Sequence, residues 1–132
     1  MFGVMDRNPL IVVAAIIRKG DKILIARRAE GDGPEGGKWE FPGGKIEQGE
    51  RPADALVREI REELDVRIRV SALYTLVHYD NILLLVFLAD YVSGKVENKG
   101  CQDSRWVGAG ELNAFDFAAA DIPVVKKLVS GF

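Results

Sequence analysis

Three glutamates, Glu59, Glu62 and Glu63, have the residue type and spacing that could support chemistry. On a helix that turns about 100° per residue, their carboxylates fall within roughly a 100° arc of one face, away from the apolar stripe. Like charges at i and i+4 destabilise an isolated helix slightly, whereas Mg²⁺ takes oxygen ligands and keeps positions for water and phosphate. The cluster is either a solvated face moderated by Arg58 and Arg61 or part of a site for a metal-bound polyphosphate.

The residues before this segment favour the second interpretation. Gly43 and Gly44 let the backbone turn sharply or approach a bound group closely, and Glu50 adds a further acid six residues after Gly44. A close-approach loop therefore leads directly into a helix that carries carboxylates.

These residues together resemble the Nudix box. The pattern is a glycine, five residues, a glutamate, seven residues and then a fixed block, and here it reads Gly44, Glu50 and Arg58-Glu59-Ile60-Arg61-Glu62-Glu63-Leu64-Asp65-Val66. Asp65 stands where the family normally has Gly, at a helix exit where Asp tolerates a left-handed backbone better than most residues.

The resemblance continues outside the box and is closest to the MutT branch. Its further segments are Leu24-Ile25-Ala26-Arg27-Arg28, Trp39-Glu40-Phe41-Pro42-Gly43-Gly44-Lys45-Ile46-Glu47 and Ala119-Ala120-Asp121-Ile122-Pro123. It implies an α+β fold, the Nudix α/β/α sandwich with a mixed β-sheet, as a single domain over residues 1–132.

The resemblance also implies the catalytic equipment. Divalent metal, Mg²⁺ with Mn²⁺ as a possibility, would be bound by Glu59, Glu62, Glu63 and the Gly43 carbonyl, while Arg58 would orient the acids through an ion pair. Glu50 would be a structural or outer acid. Hydrolysis of a polyphosphate needs this set, because metals neutralise the anionic oxygens and lower the pKa of the attacking water, and a Glu of the cluster could take its proton.

The implied substrate is a nucleoside triphosphate, split into monophosphate and pyrophosphate. The positions that resemble base-reading or base-contacting residues are Arg28, Trp39, Phe41 and Asp121. A carboxylate at Asp121 accepts from an exocyclic amino group and, if protonated, also donates to a ring acceptor. We therefore expect a cytidine or modified nucleotide as substrate, with oxidised guanine nucleotides second.

Two alternatives remain open at this point. The MutT branch often carries a further Glu six residues before the Trp of the last short strand, where this chain has Gly100; Glu97 or Asp103 could reach the same place from a shifted loop. Its absence motivates a catalytically silent nucleotide-binding or regulatory module. Hydrolysis of a dinucleotide or nucleotide-sugar diphosphate would use the same chemistry with another leaving group.

Two isolated residues are given structural roles. His78 is predicted at a strand end, and the metal mechanism does not require it. Cys101, the single cysteine, cannot form an intramolecular disulfide, which suits a reducing cytoplasm.

The elements that must position these residues are visible as periodicity. Leu10 to Ile17 and Lys22 to Arg27 predict a hairpin, and the Gly-rich stretch from Ala29 to Gly37 predicts a surface loop. A helix is predicted from about Pro52 to Leu64, with Ala53, Leu56, Val57, Ile60 and Leu64 as its apolar positions.

The second half of the chain continues the sheet and ends in a helix. Strands are predicted from Val66 towards His78, at Ile82 to Val92, covered on both faces, and at Ser104 to Val107. Gly110 to Phe115 is expected to form a helical turn, and Ala118 to Val129 a helix with Pro123 in its first turn.

Composition limits the remaining function classes. Hydrophobic residues make up 48% and charged residues 29% of 132 residues, which is typical of a globular chain. The net charge of −2 gives no basic field for a nucleic acid polymer. The longest apolar runs, Leu10 to Ile17 and Ile82 to Ala89, are far shorter than the roughly 20 residues that span a membrane. The sequence leaves the oligomeric state open.

Overall fold

A computed structural model of the protein describes residues 8–131, and its centre is a mixed β-sheet. The strands are β1 (Leu10–Lys19), β2 (Lys22–Arg27), β3 (Trp39–Glu40), β4 (Gly43–Lys45), β5 (Arg67–Tyr79), β6 (Ile82–Ser93) and β7 (Asp103–Gly108). Their order is β3-β2-β1-β6-β5, while β4 pairs with β1 and β7 with β2. Only β1 and β6 are parallel among these pairs.

The predicted hairpin of β1 and β2 is confirmed, but its two strands separate after a short paired stretch. Their register joins Arg18 to Ile23 and Lys19 to Lys22. Farther from the turn, β1 pairs with β4 at Val12 to Ala14, and β2 pairs with β3 at Ala26 and Arg27. The chain from 39 to 45 therefore lies in the gap between the diverging strands, and this gap is where the cleft described below forms.

Helix α1 (Pro52–Leu64) has the predicted bounds. Its buried face consists of Ala55, Leu56, Ile60 and Leu64. The prediction that Val57 belongs to this face is wrong, since its side chain is 39% exposed and Ala55 takes the buried position one turn before Glu59. A 100° step places residue 57 beside 64 and residue 55 on the far side, so the exposure of Val57 and the burial of Ala55 follow from tertiary packing and not from helical spacing.

Asp65 ends α1 in the left-handed conformation that the sequence anticipated. Its φ is 57° and ψ 34°, and its N–H donates to the Arg61 carbonyl at 3.1 Å. Asp65 thus takes the left-handed position that a glycine often occupies at a helix end, and the chain continues through Val66 into β5.

Helices cover both faces of the sheet. On one face α1 packs with Val13, Ile17 and Leu24. On the other, Ile16, Ile25 and Val86 pack with Leu112 of a 3₁₀ helix (Ala109–Ala114) and with Val124 and Val125 of helix α2 (Ile122–Val129). Because successive strand residues point to opposite faces, Ile16 and Ile17 serve different cores.

The expected fold is confirmed, with one refinement at the C-terminal end. The predicted helix from Ala118 begins as a separate 3₁₀ turn (Ala119–Asp121), and the α-helix starts at Ile122 with Pro123 in its first turn. In the described part of the chain, every helix is too short or too polar to cross a bilayer.

Candidate active site

A cleft of about 450 Å³ opens where β1 and β2 diverge. We call the part lined by the glycine pair and Glu63 of α1 one end of the cleft, and the part lined by the loop after β2 and the 3₁₀ turn before α2 the other end; apolar residues of β1 and β6 also line it. The lining residues used below are Arg28, Glu35, Glu40, Phe41, Gly43, Gly44, Glu63, Gly100 and Asp121. A more open depression of about 590 Å³ is lined by Lys19, Tyr91, Trp106 and their neighbours and has no carboxylate in its lining.

Glu63 is the carboxylate of α1 that lines the cleft directly. Burial raises its pKa to about 8, and the neighbouring acids Glu40, Glu59 and Glu62 act in the same sense, while the Gly43 amide opposes them. A carboxylate surrounded by like charges in a partly desolvated place is stabilised by a cation.

Arg58 organises the other acids of the helix. Its guanidinium donates to Glu50 at 2.7 and 2.9 Å, to Glu59 at 3.0 Å and to Glu62 at 3.1 Å. A further bond runs to the Lys45 carbonyl at 3.1 Å, which ties the helix to the end of β4. The Arg58 hydrogen bonds lower the pKa of Glu50 to about 2, so this acid stays ionised as the anchor of the arginine.

The three box glutamates do not converge in this structure. Within residues 8–131, no three His, Cys, Asp or Glu side chains are arranged to hold a metal ion. The physical reason is that Glu59 and Glu62 point to Arg58, while Glu63 faces the cleft.

The residues at this end of the cleft nevertheless suit a hard divalent cation. The donors are carboxylate oxygens, the ligands that Mg²⁺ prefers. A Cβ on Gly44 would overlap the Glu59 carboxylate, and a Cβ on Gly43 would overlap the Val13 carbonyl oxygen. Both glycines are therefore required for the backbone to lie this close to the acids.

The opposite end of the cleft is built around Asp121, a buried carboxyl that is only 6% exposed. It accepts a hydrogen bond from the Phe41 amide at 3.4 Å. Burial raises its pKa to about 8, and Glu40 acts in the same direction. Burial therefore favours the protonated form of Asp121, which can both donate and accept a hydrogen bond.

Arg28 and Phe41 lie at the same end as Asp121. Arg28 is 3.3 Å from Asp32 and 3.7 Å from Glu40, and its buried Nε has no hydrogen-bond partner. The Phe41 ring stacks on Phe117 at 5.2 Å, which fixes the backbone that lies against Asp121.

Trp39 occupies a different place from the one predicted. It is buried, packs edge-on against Phe115 at 5.1 Å, and lies outside the set of cleft-lining residues. Alternation along β3 explains this, because Trp39 and Glu40 point to opposite sides.

Glu40 is a cleft residue to which sequence reasoning gave no role. Burial raises its pKa to about 7, and its charge acts on both Glu63 and Asp121. The sequence offered one signal, a charged residue between the aromatic residues Trp39 and Phe41. That Glu40 belongs to the site is visible only from its place in the cleft lining.

The loop that carries Gly100 does not supply an acid to the cleft. The Lys99 and Gly100 amides donate to the Glu63 carbonyl at 2.9 and 3.1 Å, and Glu97 is exposed. Asp103 bonds the Ser104 amide at 2.8 Å. Neither acid lines the cleft, and a Cβ on Gly100 would already lie 3.0 Å from the Glu63 Cγ.

His78 and Cys101 also lie outside the cleft lining. His78 is an exposed residue of β5 opposite Leu83. Burial raises the pKa of the Cys101 thiol to about 11, so it is not a thiolate at neutral pH.

An acidic helix that follows a pair of close-approach glycines and borders a cleft is the arrangement that the Nudix box predicts. The chain belongs to the NUDIX family, since its residues 7–128 match the NUDIX domain. It is thus a hydrolase of a family whose members generally use divalent metal cations.

Individual relatives agree with this assignment. The chain is 38% identical to an 8-oxo-dGTP diphosphatase of Escherichia coli K12 over 122 residues, covering 89% of this chain and 94% of the relative. It is 36% identical to a CTP pyrophosphohydrolase of the same organism, covering 90% of each. A solved MutT structure from work on Aliivibrio salmonicida and Vibrio cholerae superimposes with a TM-score of 0.77 at 30% identity, covering 93% and 98%. MutT of Methanosarcina mazei gives 0.82 at 23% identity, covering 94% and 96%, and supports the fold alone.

Proposed function

We propose that this protein hydrolyses nucleoside triphosphates that carry cytosine or a modified or oxidised base to the monophosphate and pyrophosphate, with Mg²⁺ or Mn²⁺. The observation that carries the proposal is the continuity of one cleft from Glu63 and the glycine pair to Asp121 and Phe41. The relatives named as 8-oxo-dGTP diphosphatase and CTP pyrophosphohydrolase support this substrate class.

At the phosphate end, Glu59, Glu62, Glu63 and the Gly43 carbonyl would hold the metal. When bound, a divalent ion neutralises phosphate charge and lowers the pKa of the attacking water. Arg58 keeps Glu59 and Glu62 together against their mutual repulsion, and the glycine pair lets the polyphosphate approach. A glutamate of this cluster takes the proton of the water.

At the base end, the Asp121 carboxyl reads the hydrogen-bonding edge of the base and Phe41 supplies apolar contact. Arg28 presents a buried Nε without a partner, a donor that a nucleotide can satisfy. In this proposal Trp39 supports the Phe41 segment by packing rather than touching the base.

The proposal treats residues 1–132 as one domain that works in a reducing cytoplasm on a free nucleotide. The single cysteine supports the reducing cytoplasm, and the lack of a basic field in the sequence supports a free nucleotide as substrate in place of a nucleic acid polymer.

The test is a pyrophosphate-release assay with CTP, dCTP, 5-methyl-dCTP, 8-oxo-dGTP and the ordinary triphosphates, each with and without Mg²⁺. We expect metal-dependent turnover that falls at least about a hundredfold in Glu63→Gln and in Glu62→Gln, because an uncharged amide is a poorer ligand and base. Glu97→Gln is the matched control, an exposed acid outside the cleft, and should retain activity.

Three results would contradict the proposal. Tight nucleotide binding without turnover would select the silent module, and turnover of nucleotide sugars alone would select another substrate class. Full activity of Glu63→Gln would remove Glu63 from the mechanism.

A further inference from the structure

The cleft loop, residues 29–37, forms part of the cleft wall through Asp32 and Glu35. Its two ends are closed by backbone hydrogen bonds between Arg28 and Lys38 at 2.9 Å and between Gly37 and Arg28 at 3.0 Å. Its middle contains glycines with positive φ and turns, so the closed ends alone leave the position of its tip undetermined.

The Glu35 side chain connects this loop to the base end of the cleft. Its Oε1 accepts a hydrogen bond from the Ala119 amide at 3.1 Å, across 84 residues of sequence. Its Oε2 lies 3.1 Å from Lys38 Nζ, and the side chain is 28% exposed. The Ala119 amide holds the pKa of Glu35 below its usual value, so the carboxylate is charged and the bond is charge-assisted.

The partner of Glu35 is not an arbitrary surface amide. Ala119 begins the 3₁₀ turn that ends at Asp121, and Ala118 and Ala120 line the same cleft. The backbone on the other side of Ala119 is fixed to β3, because the Ala118 amide donates to the Trp39 carbonyl at 2.9 Å. A loop held to Ala119 is therefore held to a rigid part of the base end.

We propose that Glu35 is a positioning residue that fastens the cleft loop to the turn carrying Asp121 and so keeps the cleft wall closed over a bound nucleotide. The part of this inference that concerns the nucleotide rests on the proposed function. The fastening of the loop does not, because it is a property of the protein without ligand.

Glu30 offers a matched comparison within the same loop. Its side chain is 71% exposed and pairs with Arg27 at 3.2 Å, within the strand that precedes the loop. Its backbone, not its side chain, reaches the neighbouring Gln102 at 3.1 Å. Removal of the Glu30 carboxylate therefore deletes an acid of the loop without releasing the loop from the base end.

The first measurement is amide hydrogen exchange in the protein without ligand. In Glu35→Ala we expect the amides of residues 29–37 and Ala119 to exchange about tenfold faster, the effect of losing one hydrogen bond. The amides of α1 should be unchanged. Glu35→Gln keeps an oxygen acceptor and should retain most of the protection, and Glu30→Ala should exchange like the wild type.

The second measurement is steady-state kinetics on the best triphosphate. Glu35→Ala should raise KM about five- to tenfold with kcat within about twofold, since the loop retains the nucleotide but does not touch the reacting atoms. Glu35→Gln should restore KM towards the wild type, and Lys38→Met, which keeps the Ala119 bond, should resemble Glu35→Gln.

The outcomes separate this inference from the proposed function. Unchanged exchange in Glu35→Ala, or Glu35→Gln behaving like Glu35→Ala, would overturn the fastening through Ala119. A fall in kcat at constant KM would overturn the role in retaining the nucleotide. If no triphosphate were hydrolysed, the proposed function would fail while the exchange experiment would still decide the role of Glu35 in the loop.

Discussion

The Arg58 side chain offsets the repulsion between acids that the sequence places close together on α1. Glu50, Glu59 and Glu62 surround it, and its hydrogen bonds to them offset the repulsion between neighbouring acids on one face of the helix. The sequence indicated an ion pair for Arg58, but the bonds to Glu50 and to the Lys45 carbonyl depend on how the loop before α1 folds.

Three acids of the cleft have raised pKa values, in contrast to Glu50, whose pKa is lowered by Arg58. Burial raises the pKa of Asp121 and Glu63 to about 8 and that of Glu40 to about 7, from unfolded values near 4. Between pH 5 and 8 the folded protein therefore binds protons that the unfolded chain has already released. Stability falls as pH rises through this window and levels off above the folded pKa values.

The variant Asp121→Asn tests whether the ionisation of Asp121 contributes to this fall of stability with rising pH. The amide cannot ionise, so we expect the free energy of unfolding to fall less between pH 5 and pH 8 in Asp121→Asn than in the wild type. Urea unfolding at both pH values measures the difference. Asp116→Asn, at an exposed acid five residues away, is the control and should follow the wild type. An equal fall in Asp121→Asn and wild type would show that Asp121 ionises normally in the fold.

At the scale of elements, the decisive feature is the segment from β3 to α1. The periodicity of residues 52–64 predicted the helix bounds correctly, because an amphipathic stripe is a local property. The closeness of Gly43 to β1 and of Gly44 to α1 is not local. It follows from the separation of β1 and β2, which leaves a gap that the 39–45 segment fills.

The two glycines should respond differently to the same added methyl group. In Gly43→Ala the Cβ meets the backbone of Val13, which cannot move cheaply, so we expect a loss of stability of about 1–3 kcal/mol. In Gly44→Ala the Cβ meets the Glu59 side chain, which can rotate away, so stability changes little and activity is lost. Thermal unfolding and pyrophosphate release measure the two effects.

Gly49→Ala is a useful reference for this pair. Its φ is +85° but a Cβ there meets nothing within 4 Å, so any cost reports backbone conformation without contact. If Gly44→Ala remained fully active, the requirement for close approach at Gly44 would be refuted.

At the scale of the whole molecule, the sheet divides two hydrophobic cores. Leu56 belongs to the core beneath α1, and Leu112 to the core beneath α2 and the 3₁₀ helix. Both side chains are fully buried. The cleft lies at the gap in the shared sheet, so both cores hold its walls.

We expect Leu56→Ala and Leu112→Ala each to cost about 2–5 kcal/mol, the usual cost of a cavity at a buried leucine. Because the two positions lie on opposite faces, the double variant should lose the sum to within about 0.5 kcal/mol. Urea unfolding should show a single transition in all three variants. Two separate transitions would mean that the cores unfold independently.

The amino-acid sequence alone determined the elements and the identity of most site residues. The Pro52–Leu64 helix, the β1–β2 hairpin, the left-handed Asp65 and the acidic face are each encoded by residues close together in the chain, where spacing fixes geometry. The segments of the Nudix box are read in the same way.

Tertiary structure decided which of these residues meet. It buried Trp39 in the core, brought Glu40 close enough to act electrostatically on both Glu63 and Asp121, and left Glu97 and Asp103 outside the cleft. It also joined Glu35 to Ala119 across 84 residues. Such contacts depend on strand divergence and on desolvation, which act between distant parts of the chain and leave no periodic trace in the sequence.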